Sequence, residues 1–117
     1  MHGGITIQSA LIDLIIIYFR QKGYQIQEEA LLEGVSGLPH KFHLLIKKGN
    51  EKHLVTVLDW KRTVGVNMVI RLDMASSDVG FSNPVLVSNN FSSHAKAYAN
   101  RRGMTLLTKH EITRRLG

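Results

Sequence analysis

Hydrophobic positions along the chain switch between the helical and the strand period and predict nine secondary-structure elements. Their order is α-β-β-β-α-β-α-β-α. Three consecutive strands followed by helical crossovers predict a mixed central sheet with helices on both faces, in the α/β class with α+β character. The predicted elements are a helix at 5–22, strands at 24–32, 41–48 and 52–61, a helix at 64–75, a strand at 84–88, a helix at 92–102, a strand at 105–107 and a terminal basic helix.

Capping residues mark several of these boundaries. Gly103 is placed to end the third helix, and Ser92 to begin it as an N-cap. Thr108 and Glu111 have the spacing of a capping box, which predicts the start of the last helix. The wholly apolar run before Ser88 is typical of a central strand that is buried on both faces.

The third predicted strand ends in an unusual pair of charges. With a period of two, Asp59 and Lys61 lie on the same face of the strand, so a carboxylate and an amine project side by side. Packing alone explains such a pair poorly, because both charges would have to be desolvated together or moved to an edge. We therefore take Asp59 and Lys61 as the first candidates for chemistry.

Composition narrows the class of protein. The 117 residues predict one domain over 1–117, with a disordered start at 1–4, and 44% hydrophobic residues are sufficient for a core. The absence of cysteine excludes disulfides and thiolate metal sites and favours a cytoplasmic protein. The longest apolar stretch, Leu14 to Phe19, is too short to cross a membrane. A formal charge of +6 favours polyanionic partners such as nucleic acid.

Three stretches together resemble the restriction-endonuclease-like, or PD-(D/E)xK, nuclease superfamily. The nearest kin are the Mrr-type restriction endonucleases and the archaeal Holliday-junction resolvases. The resemblance rests on the order of elements and on the following residues: Gly34, Ser36, Gly37 and His40 in a GxSGxxH loop, Asp59 and Lys61 in an acid-x-Lys motif, and the later stretch PVLVSNNFSSHAKAYANRRGMTLL.

This resemblance implies a DNA nuclease that depends on a divalent metal ion. Asp59 would help to hold Mg²⁺ or Mn²⁺, and Lys61 would orient the attacking water and neutralise charge developing on the phosphorane. The substrate would be double-stranded or branched DNA. A homodimer is also expected, because cutting two strands requires two sites.

One position departs from the family pattern. The family has a metal-binding aspartate in the second strand, and the matching residue here is His43. Imidazole binds Mg²⁺ poorly but Mn²⁺, Zn²⁺ or Fe²⁺ well. The site is therefore catalytic with an unusual metal preference, or it is a degenerate site that binds nucleic acid without cutting it, or Glu33 or Asp13 replaces the missing carboxylate. A three-residue turn between the second and third strands puts His43 on the face of Asp59, and a two-residue turn puts it on the opposite face.

Contacts with DNA are expected from basic and hydrogen-bonding side chains. Each phosphate contact would steepen the salt dependence of binding without specifying the DNA sequence. A solvated basic surface with no such role is the alternative, as in an interaction protein whose charge serves solubility. The residues predicted to contact DNA are Ser36, His40, Lys41, Arg62, Arg71, Ser92 and Lys96.

Overall fold

The computed structural model describes residues 10–116, and its element order is the predicted one. The predicted disorder at 1–4 and the helix start at residue 5 lie outside the described residues. No helix within residues 10–116 is long and apolar enough to cross a membrane. The elements are α1 (Ala10–Gln21), β1 (Gln25–Glu33), β2 (Pro39–Lys48), β3 (Glu51–Leu58), α2 (Val66–Asp78), β4 (Val85–Ser88), α3 (Ser93–Arg102), β5 (Thr105–Thr108) and α4 (Lys109–Leu116).

The five strands form one mixed sheet in the order β1-β2-β3-β4-β5. β1, β2 and β3 are antiparallel neighbours, whereas β3, β4 and β5 are parallel because α2 and α3 return the chain to the same edge each time. This architecture confirms the predicted fold class.

Helices cover both faces of the sheet and create two cores. The first core contains Leu11 and Ile15 of α1, and the second contains Val69 of α2, all fully buried. β4 contributes Val87 to the first core and Leu86 to the second, as expected for a central strand. Burial of such a side chain contributes about 1.5–3 kcal/mol to the stability of the fold.

The predicted caps are confirmed. Ser92 Oγ accepts a hydrogen bond from the Ala95 amide at 3.1 Å, and Gly103 ends α3 with a φ of 73° in the left-handed region. Thr108 and Glu111 form the reciprocal capping box, in which the side chain of each residue accepts a hydrogen bond from the backbone amide of the other at 3.1 Å. These local contacts set the boundaries of α3 and α4.

The β1–β2 hairpin changes faces halfway along its length. In β1, Ile26 packs on the first core and Ala30 on the second, although regular alternation would put both on one face. Between them Glu29 has a φ of 53°, which is in the left-handed region. In β2, Phe42 and Leu44 are likewise divided between the two cores, and the pairing of β2 with β3 ends at Leu44. The distal half of the hairpin therefore leaves β3 and packs on the side of α2.

β3 is shorter than predicted, which corrects one argument from the sequence. The strand ends at Leu58, so Asp59 and Lys61 follow the strand and period-two alternation does not place them on a common face. Where β3 ends, side chains from the end of β4 and from the residue after it donate hydrogen bonds to backbone carbonyl groups. Ser88 Oγ donates to the Leu58 carbonyl and Asn89 Nδ2 donates to the Trp60 carbonyl. Side-chain bonds thus replace backbone pairing where β3 ends.

The left-handed conformation of Glu29 can be tested by substitution. We expect Glu29→Val to lower the free energy of unfolding by about 1–2 kcal/mol, because a β-branched residue is strained at positive φ. Glu29→Gly should stay close to the parent protein, since relief of strain offsets the entropy of glycine. Urea denaturation measures both changes, with Gln27→Val on the same strand as the control. Equal effects of valine at the two positions would contradict the local strain.

Candidate functional site

Asp59 and Lys61 lie where the parallel strands β3 and β4 have their carboxyl ends. Both side chains are exposed. Asn89, which follows β4, has its Nδ2 atom 3.5 Å from Asp59 Oδ1 and also donates to the Trp60 carbonyl. In open α/β sheets, ligands bind outside the carboxyl ends of the strands. The two residues therefore lie at the edge where this architecture offers a site.

A pocket of about 460 Å³ opens on the same edge. The Arg62 guanidinium carbon lies 4.1 Å from the centre of the Trp60 ring, in a cation–π contact. Trp60 is only partly buried, and it packs against the second core. Gly65 and Ser92 also line this pocket, and they are the N-caps of α2 and α3. Two helix N-termini thus direct backbone amides and the positive ends of their dipoles to this edge.

His43 makes a structural hydrogen bond. Its Nδ1 atom accepts from the Val57 backbone amide at 2.8 Å, and burial, followed by the charge of Lys41, lowers the pKa of the imidazole. A neutral imidazole has a single nitrogen with a free lone pair. The bond to Val57 uses that lone pair, which leaves the proton on Nε2. In this arrangement His43 has no nitrogen available to a metal ion, so metal binding would require the bond to Val57 to break.

The turn between β2 and β3 has two residues, Gly49 and Asn50, because Lys48 pairs with Glu51. By regular alternation, this length puts His43 on the opposite face from Asp59. The ladder ends at Leu44, however, so alternation does not reach His43. The hydrogen bond to Val57 is what fixes the direction of its ring.

The GxSGxxH loop is organised around Asp78, the last residue of α2. The Asp78 carboxylate accepts hydrogen bonds from the Ser36 amide at 3.0 Å and from Ser36 Oγ at 2.6 Å, and it lies 2.7 Å from His40 Nε2. The Ser36 hydroxyl first, and His40 next, lower the pKa of this carboxyl group. A Cβ atom on Gly34 would lie 1.9 Å from Asp78 Oδ2, so only glycine allows this approach.

Sequence reasoning missed Asp78. It lies beyond the predicted end of the second helix at residue 75, and no spacing in the sequence connects it with Ser36, which is 42 positions earlier. The helix extends three residues further than predicted, from 75 to Asp78. The loop motif itself was the available clue, because its polar residues require a common partner once they are brought together.

Apart from Lys41 and His43 on β2, the predicted site residues fall into two groups, one near each end of α2. The helix has 13 residues and therefore spans about 18 Å. Arg62 and Ser92 line the pocket at its N-terminus, Asp59 and Lys61 lie beside Trp60 and Arg62 in the chain, and Lys96 follows in the first turns of α3. Around or near its C-terminal half lie Glu33, Ser36, His40 and Arg71.

The structure joins neither alternative acid to Asp59. Glu33 is the last residue of β1, beside Gly34 and the Asp78 cluster. Asp13 is exposed on α1, which covers the first core. Lys41, on β2, pairs with Leu31 of β1. Within residues 10–116, no group of three or more histidine or carboxylate side chains is arranged to hold a metal ion. The assignments of His43 and Glu33 as ligands stay predictions.

A family comparison covers nearly the whole chain. The family described as "Restriction endonuclease", Mrr_cat, matches residues 9–116. No curated protein matches the sequence.

Solved structures share the fold at low sequence identity. The protein of unknown function AF1548 superposes with a TM-score of 0.75 at 16% identity, over 86% of this chain and 58% of that one. VC1899 from Vibrio cholerae gives 0.66 at 12% identity, over 89% of this chain and 30% of that one. EndoMS in a complex with double-stranded DNA gives 0.55 at 11% identity, over 92% and 48%. The chain thus spans between 30% and 58% of the length of these proteins.

The role of His43 as a hydrogen-bond acceptor predicts a pH dependence. Its folded-state pKa lies below the ordinary value of 6.5, so the unfolded chain binds the proton more readily. The stabilisation is complete above about pH 6.5 and is lost as the pH falls through the folded-state pKa. His43→Phe should cost about 1–3 kcal/mol at pH 8, because the Val57 amide loses its acceptor. His43→Asn, whose Oδ1 can accept the same bond, is the control.

Thermal unfolding between pH 5 and pH 8 measures both effects. The asparagine variant should show a flatter pH profile than the parent protein, because the titrating ring is absent. A phenylalanine variant as stable as the asparagine variant at pH 8 would contradict the hydrogen bond.

The close approach of Gly34 to Asp78 gives a second prediction. Gly34→Ala should lower the free energy of unfolding by about 1–3 kcal/mol, because the added methyl group displaces the Asp78 carboxylate. Gly65→Ala is the matched control, since no atom lies within 4 Å of its added Cβ. Alanine is a poorer N-cap of α2 than glycine, but it also lowers the entropy of the unfolded chain, so the net cost should stay below about 0.5 kcal/mol. Chemical denaturation of both variants gives the comparison, and similar losses would argue against the steric requirement at Gly34.

Proposed function

The chain belongs to the restriction endonuclease family, and on this premise we propose that it binds DNA and hydrolyses phosphodiester bonds with the help of a divalent metal ion. The observation that supports this function best is the position of Asp59 and Lys61, exposed at the carboxyl ends of parallel strands. Asp59 is the proposed metal-binding residue, and Lys61 the proposed partner of the attacking water and of the phosphate.

The residues at this edge suit Mg²⁺ or Mn²⁺ if the substrate supplies some of the ligands. Mg²⁺ is commonly bound through one or two carboxylates, with water and substrate phosphates as the other ligands. Asp59 supplies one exposed carboxylate, so water and a DNA phosphate would have to complete the shell. Such an ion would polarise the phosphoryl group and neutralise developing charge. Lys61 would hold the attacking water and the phosphate in position.

Binding of DNA at this edge is supported by charge and by helix geometry. Arg62 and Lys96 supply exposed positive charge, and α2 and α3 both begin here with unpaired backbone amides. Ser92 caps α3 with its side chain, which leaves other amides of the first turn available to a phosphate. Affinity should therefore fall steeply with salt. A cytoplasmic homodimer, which presents two such edges to two strands, belongs to the same proposal.

The second candidate is a DNA-binding module of the same fold without catalytic activity. It is favoured by the hydrogen bond between His43 and the Val57 amide. That bond gives the histidine a structural function at the position where the family resemblance implies a metal-binding aspartate. Under this alternative, salt-sensitive DNA binding persists and cleavage is absent with every metal ion.

We expect Asp59→Ala to reduce cleavage by about 100-fold or more while DNA binding changes little. The reason is that the metal ion loses its protein carboxylate, whereas the phosphate contacts are made by other side chains. The measurement uses labelled linear, supercoiled and four-way-junction DNA, in Mg²⁺ and separately in Mn²⁺, with a binding titration at several salt concentrations.

Asp13→Ala is the comparison, because Asp13 is another exposed carboxylate, on α1. Cleavage should be retained by this variant, and its loss would instead support Asp13 as the replacement carboxylate. Cleavage retained by the Asp59 variant would refute the assignment of the site. Salt-sensitive binding without cleavage by the parent protein in either metal would establish the second candidate instead. His43→Asp would then show whether an added carboxylate creates activity in Mg²⁺.

A further inference from the structure

Three large apolar side chains are exposed together at the C-terminal end of α2. Val35 and Leu38 in the hairpin loop are 92% and 61% exposed, and Met74 on α2 is 66% exposed. Leu38 and Met74 line the same groove, while the Val35 amide donates to the Asp78 carbonyl beside it. Apolar side chains clustered on a surface with a polar rim mark an interaction site.

The loop that presents these side chains is tightly held. Its backbone is closed by hydrogen bonds from Gly34 to Leu38 at 2.8 Å and from Gly37 to Gly34 at 2.9 Å. The Asp78 carboxylate fixes Ser36 and His40 on either side. The apolar tip is therefore pre-organised in an exposed position, which lowers the entropic cost of binding a partner.

A groove of about 870 Å³ lies beside this tip, between the hairpin loop and α3. Met74 and Arg71 of α2 line it, with Tyr98 and Arg102 of α3 on the other side. Asp73 joins the two helices below, since it accepts from Tyr98 at 2.6 Å and from Arg102 at 2.9 Å. The groove thus has an apolar residue and a cation on a rigid helical support.

We propose that this surface is a two-fold interface between two copies of the chain, in which the hairpin tip of each copy occupies the groove of the other. The tip carries apolar Val35 and Leu38 next to the exposed acid Glu33, and the groove carries apolar Met74 next to the exposed base Arg71. Neither Glu33 nor Arg71 has an ion-pair partner in the part of the chain from 10 to 116. A two-fold axis brings each tip onto a groove, so both contacts form at once.

Charge and chemistry favour a second copy over DNA at this surface. Charges around the groove are balanced rather than positive, because Arg71 and Arg102 are accompanied by Asp73 and Asp78, with Glu33 nearby at the end of β1, so the surface lacks the excess positive charge that phosphate groups require. Apolar side chains such as Val35 and Met74 gain little from a phosphate backbone. The tip and the groove are both apolar, and they carry charges of opposite sign in Glu33 and Arg71, which is the complementarity that a self-contact requires.

The interface deepens the homodimer of the proposed function and rests on that proposal. Sedimentation-velocity centrifugation of the full chain over a range of concentrations tests it without DNA. Met74→Lys should raise the dimer Kd by about 30-fold or more, because it buries a charge in an apolar contact. Ile17→Lys is the matched control, since Ile17 is an apolar side chain 47% exposed on α1, the helix that covers the first core on the other face of the sheet. Circular dichroism melting confirms that each variant is folded.

A charge exchange provides a second measurement. Arg71→Glu and Glu33→Arg should each weaken the dimer by about 10-fold, and the double variant should return to within about 3-fold of the parent Kd. Failure of the double variant to recover would overturn the reciprocal arrangement.

Other outcomes would also overturn the interface. They are a parent protein that is monomeric at every concentration reached, a Met74→Lys dimer as tight as the parent dimer, or dissociation by Ile17→Lys. If Arg71→Glu lowers the DNA affinity while the oligomer keeps the mass of the parent protein, the groove is a DNA surface instead. Cleavage that requires Asp59 in a monomeric protein would leave the proposed nuclease intact, so the two failures are distinguishable.

Discussion

The change of faces in the β1–β2 hairpin is the constraint on which much of this molecule depends. At Glu29 in β1 and between Phe42 and Leu44 in β2, the inward side of the hairpin passes from the first core to the second. A regular hairpin would have continued along β3 and covered the edge where Asp59 lies. Because it turns away, the hairpin loop reaches the C-terminus of α2, and Asp59 stays exposed.

The same irregularity explains the behaviour of His43. Where a strand leaves its neighbour, the neighbour keeps a backbone amide that needs an acceptor. The imidazole provides that acceptor for Val57 and so closes the gap between the two strands. An aspartate at this position could also accept the amide bond with one oxygen and still have a second oxygen free for a cation. The histidine offers a single lone pair, and the backbone already uses it.

The elements that local chemistry determines were predictable from the sequence. Ser92, Gly103 and the pair Thr108–Glu111 act within a few residues of themselves, so their spacing alone gives the ends of α3 and α4. The features that the sequence did not predict depend on contacts between residues far apart in the chain. The end of β3 depends on Ser88 and Asn89 from the neighbouring strand, and the loop cluster depends on Asp78. Likewise, the positive φ of Glu29 could not be predicted, because this position carries neither glycine nor asparagine, the residues that commonly adopt it. The sequence pattern placed Asp59 near the end of the third strand, whereas in the structure it directly follows that strand.

β1 forms one margin of the sheet, and its composition has a consequence for how the molecule behaves in a crowded solution. Glu28, Glu29 and Glu33 are exposed along this strand. Two such strands from different molecules would place carboxylates against carboxylates if they approached edge to edge, and this repulsion discourages the strand addition from which fibrils grow. In a chain with a formal charge of +6, the exposed acids along β1 therefore oppose ordered aggregation at this margin of the sheet, while the basic surface elsewhere is retained.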